Sequence, residues 1–133
     1  MSTTAQYATT PVFGSALLTT ADTSLTAPTT IGTILTAGAS GTRIDFIEIQ
    51  GVATSVAGIV NIFIYDGTTY HLWQQIPINA VTSSTTAVAF NSVTSTNNSP
   101  NVMPMIIPTG YSLRASTTIA QTGLKVIAYG GNF

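Results

Sequence analysis

The sequence predicts an all-β fold, a single β-sandwich of about eight short antiparallel strands, with a jelly roll preferred to a small barrel. Three observations lead there. Short runs of β-branched and aromatic residues recur along the chain, most clearly GIVNIFIY and YHLWQQIPI, the make-up of half-buried strands. Clusters of Gly, Pro, Asn, Asp and Ser punctuate them as turns do. No stretch sustains the 3.6-residue apolar period of a helix. At 133 residues the chain is long enough for one domain with a proper core.

Residues 1–28 are rich in Thr, Ser and Ala, with Tyr7, Val12, Phe13, Leu17, Leu18 and Leu25 scattered among them. Alone, such a stretch buries too little surface to offset its ordering. It is expected to be an extended N-terminal arm that lies on this subunit or reaches a neighbour, the alternative being a frayed terminus with one short edge strand. The β-sandwich domain is assigned to residues 29–133. Its first strand is Thr29–Ala37, ended by a Gly38-Ala39-Ser40-Gly41 turn. In TRIDFIEIQ the pairs Ile44/Phe46 and Ile47/Ile49 have opposite parity. Either a β-bulge near Phe46-Ile47 resets the phase or both faces are covered. Arg43 and Asp45 are read as a surface pair of little energetic weight.

The centre of the chain is a hairpin hinged at Asp66-Gly67, the strongest short-range signal present. A three-residue loop, Tyr65-Asp66-Gly67, pairs even positions with even ones and collects Val60, Ile62, Ile64, Tyr70, Leu72 and Ile76 on one core face. The opposite face then carries Phe63, Tyr65, His71 and Trp73, with Asn61 and Gln75, and is either a partner surface or is covered by a second layer of the subunit. Further strands are expected at Thr86–Phe90, Val102–Ile107 (with Pro104 marking an edge or bulge), Tyr111–Ser116 and Leu124–Tyr129. Asn91–Asn101 reads as loop, its Asn97-Asn98-Ser99 triplet a chance glycosylation match, and Pro108-Thr109-Gly110 as a type II turn.

Composition narrows the function classes. Charged residues are 5% of the chain, net charge is −1 and there is no cysteine. Such a chain has no field to hold a polyanion, so nucleic-acid binding is not expected. Disulfides and thiolate metal sites are excluded. One His and four acids, Asp22, Asp45, Glu48 and Asp66, form no metal-ligand or general acid–base pattern. Neither a nucleophile elbow nor a phosphate-cradling glycine motif is present. No enzyme activity, metal or cofactor is therefore expected. No secretion signal is read at the N-terminus, and the apolar run from Gly51 to Tyr65 is too short and too polar to span a membrane. Thr, Ser, Asn and Gln in place of ions make a surface that is cheap to desolvate, suited to a subunit that stays assembled.

The run TSLTAPTTIGTILTAGASGTRI, followed by GIVNIFIYDGTTYHLWQQIPI, IIPTGYSLRAST and the closing VIAYGGNF, resembles small structural proteins of tailed bacteriophages over most of residues 20–133. The resemblance implies a capsid decoration (cement) subunit on the virion surface. Such a subunit is a jelly roll, often trimeric, that binds the major capsid protein lattice and has no catalytic residue. A tail or fibre-base subunit is the neighbouring alternative. A carbohydrate-binding module, using Trp73, Tyr70 and Tyr65, is the alternative from another class. Candidate partner-interface residues are Tyr7, Phe13, Phe63, Tyr65, His71 and Trp73.

Overall fold

A computed structural model describes residues 7–94 and 105–133. Among them there is no helix. The strands are β1 (Thr10–Leu18), β2 (Gly32–Thr36), β3 (Thr42–Gly51), β4 (Gly58–Tyr65), β5 (Tyr70–Ile78), β6 (Asn91–Thr94), β7 (Met105–Ile107), β8 (Ser112–Thr117) and β9 (Leu124–Asn132). They form two antiparallel sheets, one in the order β1-β9-β3-β6 with β7 also on β3, the other β2-β8-β4-β5. The pairing is nested: β1 lies against β9, β2 against β8, β3 against β6 and β7, and β4 against β5.

The sandwich begins at β1, inside the stretch expected as an arm. Even positions of β1 face inward, and Ala16 and Leu18 join the core. Gly14 explains why the strand escapes a count of apolar residues. A Cβ there would collide with the carbonyl of Ile34 on β2, so the two sheets meet along this side only over a residue without a side chain. On β3 the bulge falls at Asp45, where the register jumps between Ile44 and Phe46. Ile44, Ile47 and Ile49 thereby all turn inward and are fully buried, while Phe46 turns outward. Covering both faces is not needed.

The hairpin loop has four residues, Asp66–Thr69, because Tyr65 pairs with Tyr70. The expected three-residue loop misses the part played by Asp66. Its Oδ1 accepts the backbone N–H groups of Thr68 (2.8 Å) and Thr69 (2.7 Å), an Asx-type cap that widens the turn, and Gly67 takes a φ of 97°. The longer loop pairs odd with even, so that Phe63 faces Leu72, and a bulge at Trp73 then restores even with even, so that Ile62 faces Gln74 and Val60 faces Ile76. Tyr70 and Leu72 consequently lie on the outer face beside Phe63 and Tyr65, not in the expected core row.

Thr86–Phe90 is not a strand. Ser84 Oγ accepts the N–H groups of Thr86 and Ala87, making a local turn. The strand lies just beyond, at β6, in what was expected to be loop. Asn91 Nδ2 there donates to Glu48 Oε1 (2.7 Å) and Gln50 Oε1 (2.8 Å) across the ladder, which outweighs the low β-propensity of Asn. The Asn97 triplet and Pro104 lie outside the described residues. Gly110, with φ 84°, closes the turn before β8, where Tyr111 N–H donates to Pro108 O.

Candidate functional site

Each sheet has one face on the core and one face outward, and the outer faces differ. On the five-stranded sheet the odd positions of β1 and β9 point out. Phe13 is paired with Tyr129, Ser15 with Ile127 and Leu17 with Lys125. From β3, Phe46 lies opposite Tyr129 and Glu48 opposite Ile127. Phe46 and Tyr129 pack edge to face with ring centroids 3.9 Å apart. Phe13 is 65% exposed and Ile106, on β7, 64%. Leu17, Val93 and Tyr129 are exposed as well. The result is an apolar stripe across all four strand positions of the sheet. Ions lie among these residues: Glu48 between Ile127 and Val93, Lys125 beside Leu17, and Arg43 beside Ile106. Arg43 Nε lies 2.9 Å from Asp45 Oδ1, off the line a hydrogen bond needs, a solvent-screened contact of charges worth little.

The outer face of the four-stranded sheet is built differently. Phe63 is fully buried yet stands apart from the main core. Tyr70 packs edge-on against it at 5.8 Å, Arg114 is its cross-strand partner on β8 and Leu72 its partner on β5. Tyr65 stacks on Tyr70 at 4.3 Å, and the Arg114 guanidinium lies over the Tyr65 ring at 4.1 Å. Beside them, Gln75 Nε2 donates to Asn61 Oδ1 (2.9 Å).

The six residues expected to share a partner surface are thus distributed over four places. Tyr7 and Phe13 are exposed at and near β1. Phe63 and Tyr65 share the outer face of the four-stranded sheet, but Phe63 is sealed beneath its neighbours. Trp73, the bulged residue, packs against the core. His71 is exposed near the hairpin tip, its Nε2 3.0 Å from Asp66 Oδ2. Residues that sequence reasoning left aside, Phe46, Ile127 and Tyr129, complete the apolar stripe. The signal for Ile127 and Tyr129 is the period-two alternation of Lys125-Val126-Ile127-Ala128-Tyr129, whose smaller members face in.

The acids are engaged locally. Asp22 Oδ2 accepts N–H groups from Thr29 (2.7 Å) and Thr30 (2.8 Å), and Oδ1 accepts that of Ser24 (3.0 Å). The Thr30 amide first, then those of Ser24 and Thr29, hold its pKa below the ordinary carboxylate value. The Thr69 amide, then His71, then the Thr68 amide hold Asp66 down to about 2. A carboxylate depressed on folding stabilises the native state above its unfolded pKa and loses that contribution as pH falls through the folded value. The hairpin tip is therefore expected to hold its geometry down to about pH 4 and to loosen between there and pH 2. In an NMR titration the Thr68 and Thr69 amides should lose exchange protection in that window. An Asp66→Asn variant should lose the pH dependence.

A cleft of about 100 Å³ opens between Leu17–Thr20 and Thr30–Gly32, without a titratable side chain. That is well below the roughly 300 Å³ at which small-molecule sites begin. Among the described residues no three of His, Asp and Glu come together, and no helix is long and apolar enough to cross a membrane. No family model and no curated protein matches the chain.

Proposed function

We propose that the protein is a non-enzymatic structural subunit of a tailed-phage virion, a jelly-roll decoration (cement) protein that binds the assembled capsid lattice and stabilises it. The observation that carries this reading is the group of outward apolar residues on the five-stranded sheet, Phe13, Leu17, Phe46, Ile127, Tyr129 and Ile106, with Glu48, Lys125 and Arg43 set among them. Several large exposed apolar side chains gathered on one sheet face are a mark of a protein contact. Four strand positions and nine residues of length give a face on the order of 600 Å², the same order as the ~800 Å² each partner contributes to a stable interface. The nested pairing supports the jelly-roll reading. Taking β6 and β7 as one interrupted strand leaves eight strands that roll up as one long folded hairpin, the arrangement of a double Greek key. The resemblance of the sequence to phage structural proteins agrees with both.

The mechanism is linkage. A subunit that binds only the assembled lattice lowers the free energy of that lattice, by an amount that grows with its occupancy. A neutral, hydroxyl- and amide-rich rim suits this, because it is desolvated once and stays so. A homo-oligomer, expected as a trimer, would multiply the contacts through effective concentration. The test is sedimentation of the purified protein with and without capsids, together with its copy number in virions. Co-sedimentation with a copy number close to that of the shell protein is the expected result. A few copies per virion would assign it to the tail, and a protein that ignores capsids would end the proposal.

A further inference from the structure

The chain has three cations, and Arg114 is the one held rigidly away from any acid. Arg43 has Asp45 beside it, and Lys125 lies on the outer face of β9 opposite Leu17 and Gln50. Arg114 is half-buried on the other outer face. Its Nε–H donates to Ser112 Oγ (2.9 Å) and one Nη1 N–H to Tyr70 OH (3.0 Å). Its plane rests on Tyr65, and Tyr65 is itself fixed by donating its hydroxyl proton to Gly67 O (3.0 Å). A guanidinium has five N–H donors. The second on Nη1 and both on Nη2 have no partner among the described residues. Donors on both terminal nitrogens therefore remain for the two oxygens of a carboxylate.

Such an arrangement is preorganised. The cation has given up part of its hydration without gaining a counter-ion, and its rotamer entropy is already spent, so a bound anion need not order it. We propose that Arg114 is the anchor for an acidic side chain supplied by a partner polypeptide of a different sequence. A second copy of this chain is a poor donor, because three of its four acidic side chains are held locally, Asp22 by the amides of Ser24, Thr29 and Thr30, Glu48 by Asn91, and Asp66 by the turn and His71, and the fourth, Asp45, lies beside its own Arg43. A sugar is a poor occupant too. Arg114 and Tyr70 both lie against the Tyr65 ring, and Tyr70 also meets Phe63, so these aromatics are engaged with one another and present no open platform of several rings for a pyranose. The inference rests on the assembly reading only in naming the partner as a lattice protein; the carboxylate site is tested without it.

The experiment is an NMR titration of the full-length wild-type protein with acetyl-Gly-Glu-Gly-amide and, as its neutral twin, acetyl-Gly-Gln-Gly-amide, following the Arg114 side-chain N–H and Tyr65 ring signals. Saturable shifts with the Glu peptide alone are expected. The affinity should fall at least tenfold in Arg114→Lys, which keeps charge but loses the fork. It should fall about 2- to 10-fold in Tyr70→Phe, which frees Nη1. Equal responses to the two peptides, or undiminished binding by the Arg114→Lys protein, would overturn the site. Because no capsid is present, that failure leaves the assembly proposal standing. Peptide binding by a protein that ignores capsids would do the reverse.

Discussion

Replacing Phe63 by alanine is expected to cost about 3–5 kcal/mol of folding stability. The side chain is fully buried although it projects from the outer face of its sheet. Tyr70 meets its ring, and Arg114 and Leu72 flank it across the ladder. Truncation removes the ring that this second, smaller core is arranged around. The overlying Arg114 and Tyr70 are held by their own hydrogen bonds and can collapse only partly into the gap, so a cavity cost adds to the lost transfer energy. Against a total stability of ~5–15 kcal/mol, this should lower the urea midpoint by about 2 M. Phe13→Ala is the control. An exposed aromatic should change stability by no more than about 0.5 kcal/mol. Equal midpoints for the two variants would mean that the outer face of the four-stranded sheet is open and not sealed.

The second large effect is on assembly. Phe13→Asp places a carboxylate on the edge strand of the apolar face, beside Tyr129, at a position 65% exposed, where the free subunit can hydrate it. Folding should be unchanged. On docking, the same carboxylate must be desolvated opposite neutral surface, a penalty of several kcal/mol. At 1.4 kcal/mol per factor of ten, capsid affinity should fall by at least about 100-fold, read as loss of co-sedimentation at protein concentrations that saturate with wild type. A correctly folded Phe13→Asp protein that still co-sediments would move the docking surface to another face.

How far the sequence could carry these points depended on whether a residue's role was local. The phase break in β3 is legible because Ile44 and Ile47 cannot both face inward from a straight strand, and the bulge at Asp45 resolves it. The Asp66-Gly67 turn is legible for the same local reason. Its length was not, since two N–H groups captured by the Asp66 carboxylate lengthen the loop and a bulge at Trp73 then cancels the change. Those two offsetting shifts exchange His71 and Trp73 for Tyr70 and Leu72 on the outer face, which is why Trp73, expected on the outer face, packs against the core. β1 was obscured because Gly14 and Ala16 occupy inward positions, and their small size answers to the nearness of β2, which no local pattern reports. The apolar stripe is an assembly of β1, β3, β7 and β9, residues more than a hundred positions apart, and only the pairing of the first strand with the last brings it together.

The nested pairing also sets an order of events for the newly made chain. Among the described residues only β4 and β5 are sequence neighbours that pair through a tight turn, and a hairpin of that kind forms in about 1–10 μs. Each further pair must close a longer loop, ending with β1 and β9, where residue 10 meets residue 132. Loop closure of that reach comes before its reward, and folds dominated by such contacts mature in about milliseconds to seconds. The hairpin is the natural nucleus and the β1–β9 ladder the last to zip. Since Phe13 and Tyr129 belong to that ladder, the apolar stripe exists as one surface only after the whole chain has folded. An unfinished subunit therefore has no completed stripe with which to compete for a place on the lattice.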